Sequence, residues 1–144
     1  MCTSGDPQAK TIACYGYPKS EFKRKPEFIA ATFFVTKIQN TAEKRCLQGS
    51  QYWDARQNAN ARVANIDGAV FKVFEFSDAW AGGGQGGRAY RTFHDGRCYE
   101  LGIQTASGNS GAYDPGTIEE WTRRDNDTVQ KFLNQPLHSF KFLK

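Results

Sequence analysis

A β-hairpin over residues 88–107 constrains the fold of this chain more than any other sequence feature. Its sequence, RAYRTFHDGRCYELGIQTAS, places an Asp-Gly pair between two flanks that are rich in Tyr, Phe, Thr and Ile. Asp95 and Gly96 favour the positive backbone angles of a two-residue turn, and the flanks favour extended backbone. The pattern therefore predicts an antiparallel ribbon whose turn fixes which residues lie opposite one another.

The predicted register also bears on a catalytic cysteine. With the Asp-Gly pair in the turn, His94 pairs with Arg97 and Phe93 pairs with Cys98. Successive side chains of a strand point to opposite faces, so His94 and Cys98 are predicted to project to opposite sides of the ribbon. A cysteine nucleophile and its base need to lie within hydrogen-bond reach, so this register argues against a catalytic dyad.

The remaining patterns predict an α+β fold, a twisted antiparallel sheet of about five to seven strands with flanking helices. Strands are predicted at 11–17, 28–39 and 64–77, the last as a strand or a bent hairpin around an Asp-Gly pair, with a short helix at 41–49. A closing helix is predicted to begin near 125–127, and Pro136 predicts that it kinks or ends near Asn134. This helix should cover one face of the sheet with a stripe of apolar side chains, namely Val129, Phe132, Leu133 and Phe140.

Length and charge bound the organisation of the chain. At 144 residues it is predicted to be one domain, with a flexible tail over residues 1–10 and a globular part over residues 11–144. No stretch is long and apolar enough to predict a transmembrane segment. The net charge of +4 is too mild, and its longest basic cluster too short, to indicate a nucleic-acid partner.

Four cysteines occur, and none forms a C-x-x-C pair. The even number suggests disulfide bonds and an oxidising compartment. Our first choice for a bridge is Cys14 with Cys46, since a strand-to-helix link needs the least chain travel, and Cys98 would then be a buried thiol. Cys2 lies in a polar segment typical of the tether of a bacterial lipoprotein, so it is a lipid-anchor candidate, with an ordinary tail as the alternative.

Residues 81–87 (AGGGQGG) are predicted to form a flexible loop. A phosphate cradle needs a helix N-terminus after such a loop, whereas the next predicted element here is a strand. His138 is the only histidine besides His94, which argues against a multi-histidine metal site. We therefore predict no cofactor, no metal site and no enzymatic activity.

Contact with a partner is expected in three long loops, at 50–61, 78–88 and 107–116, because binding groups concentrate on loops held by a rigid scaffold. Aromatic and arginine side chains supply the contact area that interfaces favour. The predicted partner-binding residues are Tyr52, Trp53, Arg56, Trp80, Arg88, Tyr113 and Trp121.

Short motifs support a resemblance across residues 11–143. They are Tyr-Gly-Tyr-Pro at 15–18, the aromatic strand at Phe28, the Gly-Ala-Val-Phe-Lys-Val-Phe strand at Gly68, the hairpin, and the final Ser-Phe-Lys-Phe at 139–142. In these the chain resembles the PsbP-like α/β/α sandwich family. Its hairpin at 94–101 is also similar to that of uncharacterised bacterial secreted or lipoprotein domains, which carry no activity to transfer.

The PsbP-like resemblance implies a non-enzymatic accessory subunit that docks on a larger protein complex, typically a membrane complex on its extracytoplasmic or lumenal side. For this chain we expect an extracytoplasmic location, either periplasmic or as a membrane-associated lipoprotein. The alternative hypothesis is a small-molecule-binding protein or hydrolase that uses a cleft near Trp80 and Trp121.

Overall fold

Six strands form one antiparallel sheet in this computed structural model, which describes residues 2, 4–50 and 61–143. Among these described residues, two helices and two short 3-10 turns, Lys19–Phe22 and Ser110–Ala112, accompany the sheet. The strands are β1 (Ala9–Gly16), β2 (Phe28–Ile38), β3 (Arg62–Ile66), β4 (Ala69–Trp80), β5 (Gly83–His94) and β6 (Arg97–Gly108), and the helices are α1 (Glu43–Cys46) and α2 (Arg123–Ser139). The spatial order of the strands is β1-β2-β6-β5-β4-β3.

The strands from β3 to β6 form a meander, and Asp-Gly pairs make two of its turns. Asp95 and Gly96 have φ angles of 47° and 71°, and the pair at 67–68 has φ angles of 50° and 79°. Positive φ at both central residues gives the turn type whose twist matches that of the strands it joins. The predicted register is confirmed, with His94 opposite Arg97 and Phe93 opposite Cys98.

Helix α2 covers one face of the sheet, which we call the helix face. The predicted apolar stripe of this helix is confirmed, since Val129 and Leu133 are fully buried and Phe132 and Phe140 pack against the core, which Leu137 also joins. The strands contribute the apolar side chains of alternate positions to the same core. These sheet residues are Ala31, Phe33, Val35, Phe71, Val73, Tyr90, Leu101 and Ile103.

The ends of α2 differ from the prediction. The helix begins at Arg123, because Thr122 caps it and shares a reciprocal capping box with Asp125. It continues through Pro136 to Ser139. This proline costs the helix one backbone hydrogen bond near its end, and Leu137 at the next position is fully buried.

The opposite face of the sheet carries α1, which follows β2 in the chain, and we call it the connection face. Helix α1 contacts β5 and β6. At the centre of the face, Phe34, Gly102, Ala89 and Phe74 form a row across four neighbouring strands. A Cβ atom on Gly102 would lie 2.0 Å from the Phe34 ring, so the glycine leaves the space that this ring fills.

The predicted α+β class with flanking helices is wrong, and the fold is mainly β. Among the described residues only α2 is a long helix, since α1 has four residues and ends before Gly49. Of the glycine-rich stretch 81–87 predicted to be a loop, residues 81–82 form the β4–β5 turn and residues 83–87 form the first half of β5. Strands β5 and β6 approach so closely that a Cβ on Gly87 would lie 1.9 Å from the Ile103 carbonyl oxygen, so glycine is required there. An α/β/α sandwich is therefore not formed, and the predicted loop over 78–88 is a strand, a tight turn and a strand.

The predicted disulfide between Cys14 and Cys46 is also wrong. The bonds are Cys2–Cys14 and Cys46–Cys98. Strand β1 lies at the edge of the sheet, with β2 between it and β6, whereas α1 packs on β5 and β6 and brings Cys46 to Cys98. By loop length these bonds constrain the unfolded chain by about 3 and about 4 kcal/mol.

Cys2 is not supported as a lipid anchor. Its sulfur is bonded to Cys14, and a thioether-linked lipid would need the same atom.

The predicted division into a tail of residues 1–10 and a globular part of residues 11–144 stays a prediction, although β1 begins at Ala9. In the described part of the chain, neither helix combines the length and the apolar character needed to cross a membrane.

Gly102→Val is expected to lower the free energy of unfolding by about 1–3 kcal/mol, because the new side chain overlaps the buried Phe34 ring. Urea denaturation measures the change. The matched control is Gly16→Ala, also on a strand, where a Cβ meets nothing closer than 3.9 Å. If both variants unfold at the wild-type urea concentration, the ring does not occupy the space above Gly102.

Candidate functional site

A groove of about 350 Å³ lies on the connection face, between α1 and the β3–β4 hairpin. We call it the valine groove, because Val63 and Val70 line it together with the half-buried side chains of Leu47 and Phe93. Its full lining is Glu43, Leu47, Val63, Ala69, Val70, Lys72, Thr92, Phe93 and His94.

The two valines are unusually exposed for apolar side chains. Val63 is 70% exposed and Val70 is 58% exposed. The register places Val63 opposite Lys72 and Asn65 opposite Val70, so the valines are diagonal neighbours on the same face. Contiguous exposed apolar surface of this kind, bordered by polar groups, is typical of an interaction site.

The groove borders an edge of the sheet. Strand β3 is the last strand on its side, and no described residue pairs with its outer edge. The charged side chains next to β3 lie in solvent: Arg62 is 61% exposed and Glu75 is 68% exposed. Their ion pair therefore adds little stability. An edge strand beside an apolar groove can accept the backbone of an added strand and hold its side chains.

A second, more open groove of about 580 Å³ lies where β2 ends beside the β5–β6 turn. It is lined by Lys37, Ile38, Gln39, Asn40, Thr41, Ala42, Phe93, Gly96, Arg97 and Cys98. Phe93 lines both grooves. Because Cys46 of α1 is bonded to Cys98 and both residues are fully buried, this disulfide fixes the α1 segment that separates the two grooves.

Four of the predicted partner-binding residues, Trp80, Arg88, Tyr113 and Trp121, lie in the described part of the chain. Trp80 and Tyr113 are 47% and 48% exposed, as a contact residue requires. Tyr52, Trp53 and Arg56, and most of the predicted loop at 50–61, lie outside the described residues.

Arg88 links α2 to the sheet. Its Nη2 atom lies 3.5 Å from the side-chain oxygen of Gln130 and 3.4 Å from that of Asn134. Its guanidinium carbon also lies 6.0 Å from the centre of the Tyr90 ring. These contacts give Arg88 a place in the packing of the helix, and its role as a partner contact stays a prediction.

Trp121 belongs to the core on the helix face. Its ring stacks on Phe28 at a centroid distance of 5.3 Å and meets Phe22 edge-on at 4.9 Å. Trp80 lies an even number of residues from Phe74 along β4, so its side chain points to the connection face. The described residues therefore do not form the predicted cleft near both Trp80 and Trp121.

His94 and Cys98 take the opposite sides that the sequence predicts. The His94 ring stacks on Phe142 at 3.8 Å, and the Cys98 sulfur is bonded to Cys46. Cys98 is thus not the buried thiol that we expected. Among the described residues no group of three or more His, Cys, Asp or Glu side chains is arranged to hold a metal ion.

The carboxylates of Glu27 and Asp125 accept hydrogen bonds at the start of α2 and just before it. Hydrogen bonds from Ser110, and then from the backbone N–H of Trp121, hold the pKa of Glu27 below its usual range. For Asp125, burial raises the pKa, but the hydrogen bonds from Lys25 and Thr122 outweigh it and leave the pKa lowered. Sequence reasoning identified acidic capping at this helix but not Lys25, which is 100 positions away in the chain.

No protein-family model matches this chain, and no curated protein matches it.

The valine groove was not predicted from the sequence because its residues come from four separate elements, α1, β3, β4 and β5. The alternating pattern of β3 did contain a sign of the groove. It puts Ala64 and Ile66 on one face of the strand and Val63 on the other face beside the polar Asn65.

Asp125→Asn is expected to lower the free energy of unfolding by about 1–2 kcal/mol near neutral pH, through loss of the capping box and of the ion pair with Lys25. Because the folded pKa of Asp125 is depressed, its contribution is complete above the ordinary pKa of an aspartate. It is lost as the pH falls through the depressed value. Urea denaturation across an acidic pH series should therefore show the difference from wild type shrinking toward low pH. The exposed Asp127→Asn variant is the control, and an equal effect there would contradict the assignment.

Proposed function

We propose that this protein is a non-enzymatic accessory subunit of an extracytoplasmic compartment, and that it binds a larger protein assembly through the valine groove. The observation that carries the proposal is the pair of valines, 70% and 58% exposed, on and beside the edge strand β3. A partner that covers them removes apolar surface from water, which is the main favourable term in association.

The groove suggests the form of the partner segment. An extended peptide would add to the outer edge of β3 by backbone hydrogen bonds. Alternate side chains of that peptide would face the groove, so one apolar residue would contact Val63 and Leu47. Glu43 and Lys72 offer one charge of each sign at the lining, so the segment would carry polar or charged groups on either side of its apolar anchor.

The compartment is supported by the covalent structure. Two disulfide bonds, one of them fully buried, are typical of proteins that fold under oxidising conditions. A periplasmic location and a membrane complex as the docking partner are the finer parts of this proposal. Trp80 and Tyr113, each about half exposed, remain candidates for further contacts with that partner.

A second candidate function is binding of a small molecule. The groove beside the end of β2, at about 580 Å³, falls within the size range of ligand pockets. This observation replaces the cleft near Trp80 and Trp121 as the structural basis for that alternative. Native mass spectrometry of the protein from its source would reveal a bound metabolite.

Val63→Asp is expected to abolish binding to the partner without a change in thermal stability, because the side chain is 70% exposed and contributes little to the fold. The partner is first identified by placing a photo-cross-linking amino acid at Val63 in the native host and analysing the adduct by mass spectrometry. Co-purification under mild detergent then compares wild type with the variant, and thermal unfolding checks the fold.

Ile12→Asp is the matched control, since Ile12 is 59% exposed but lies on β1 at the other edge of the sheet. Cross-linkers at Ile12 and Val63 that capture the same proteins would contradict the proposal. So would a Val63→Asp variant that keeps its partner, or a protein that elutes free of any partner from every preparation.

A further inference from the structure

The chain ahead of β1 is fastened across the connection face at several points. We call Cys2 together with residues 4–8 the strap. The Cys2 sulfur is bonded to Cys14, and the Thr11 hydroxyl donates a hydrogen bond of 2.7 Å to the Cys2 carbonyl oxygen. At its other end, the backbone N–H of Gln39 donates to the Gln8 carbonyl oxygen at 3.1 Å.

The strap approaches a buried pair of charges. Arg91 and Glu100 have side chains that are 2% and 1% exposed, and the Arg91 Nε atom lies 2.6 Å from a Glu100 oxygen. Asp6 of the strap brings a second carboxylate to within 3.5 Å of the Arg91 guanidinium, with its own side chain 12% exposed. The strap therefore contributes a charge to the interior and helps to keep water from the pair.

The two disulfides differ in their access to solvent. Cys46 and Cys98 are both 0% exposed, whereas Cys2 and Cys14 are only half-buried, at the edge of the sheet. Thiol–disulfide exchange begins when a thiolate attacks one sulfur, so the rate depends on access to that sulfur. A reductant in solution therefore reaches the Cys2–Cys14 bond far more readily than the Cys46–Cys98 bond.

We propose that Cys2–Cys14 is a redox-modification site, which a dithiol reductant opens selectively, and that its opening releases the strap from Arg91. One thiolate of the dithiol attacks a sulfur of the pair and forms a mixed disulfide. The second thiol of the reductant then displaces the remaining cysteine. The products are two cysteine thiols and an oxidised dithiol, with two electrons and two protons transferred to the protein.

The release follows from what remains after reduction. Without the covalent bond, the contacts described between the far end of the strap and the sheet are the hydrogen bond from Thr11 to Cys2 and the Asp6–Arg91 ion pair at 3.5 Å. The exposed hydrogen bond to Cys2 is individually weak, and the Asp6–Arg91 ion pair, at 3.5 Å, is then no longer tethered by the disulfide. Locally fastened segments with few buried apolar contacts open at the low end of the stability range. The Arg91–Glu100 pair then becomes accessible to water from the side that Asp6 had covered.

The first experiment treats the oxidised protein with limiting dithiothreitol, labels the released thiols and locates them by mass spectrometry. We expect Cys2 and Cys14 to be labelled at least about tenfold faster than Cys46 and Cys98, because only the former bond is accessible. Hydrogen exchange of the partly reduced protein should accelerate at the amides of Gln8 and Gln39, and stay unchanged at the amide of Cys46 in α1. Equal rates for the two bonds, or reduction with no change at Gln39, would refute the proposal.

The second experiment removes the bond genetically. The Cys2→Ser/Cys14→Ser variant should show the accelerated exchange at Gln39 without reductant, and Asp6→Asn added to it should accelerate that exchange further. Asp6→Asn alone, with the disulfide intact, should leave the exchange at Gln39 near the wild-type rate. Glu75→Gln is the control, because it removes an exposed ion pair on the other side of the sheet. A double cysteine variant with wild-type exchange at Gln39 overturns the release, whatever the outcome of partner binding at the valine groove.

Discussion

The pairing of β5 with β6 is the contact on which the rest of the structure depends. The Asp95–Gly96 turn sets the register of twelve residue pairs along these strands, from Gly83 opposite Gly108 to His94 opposite Arg97. Side chains alternate faces with a period of two, so a slip of one residue would reverse the orientation of the whole of β6. Leu101 and Ile103 would then leave the core, and Glu100 would move to the face covered by α2.

This register also decides how each face is closed. On the helix face it aligns large apolar side chains, and a long amphipathic helix is sufficient to bury them. On the connection face it aligns Arg91 with Glu100 and Gly102 with Ala89, which leaves a charged pair beside a shallow space that Phe34 fills. Among the described residues, the segments on that face are α1, which has only four residues, and the strap, and each is joined to the sheet by a disulfide.

The two faces therefore suit different purposes. The helix face buries a continuous aromatic and aliphatic core beneath α2, so its side chains are held in fixed positions by packing. The connection face carries both grooves, the exposed valines and the more accessible disulfide. A surface closed by local fastenings can open without unfolding the sheet, since local openings have a lower free energy than global unfolding. Binding and any redox response are expected on the same side of the molecule for this reason.

The sequence by itself determined the features that depend on neighbouring residues. Asp95 and Gly96 specify the hairpin register, and the spacing of Val129, Phe132 and Leu133 specifies the buried stripe of α2, because backbone preference and periodicity act over a few positions. Only the tertiary structure decided the strand character of Gly87, which depends on a close approach to Ile103 on the next strand. The cysteine pairing and the valine groove were likewise decided there, since the order of strands in space brings together residues that no local pattern links.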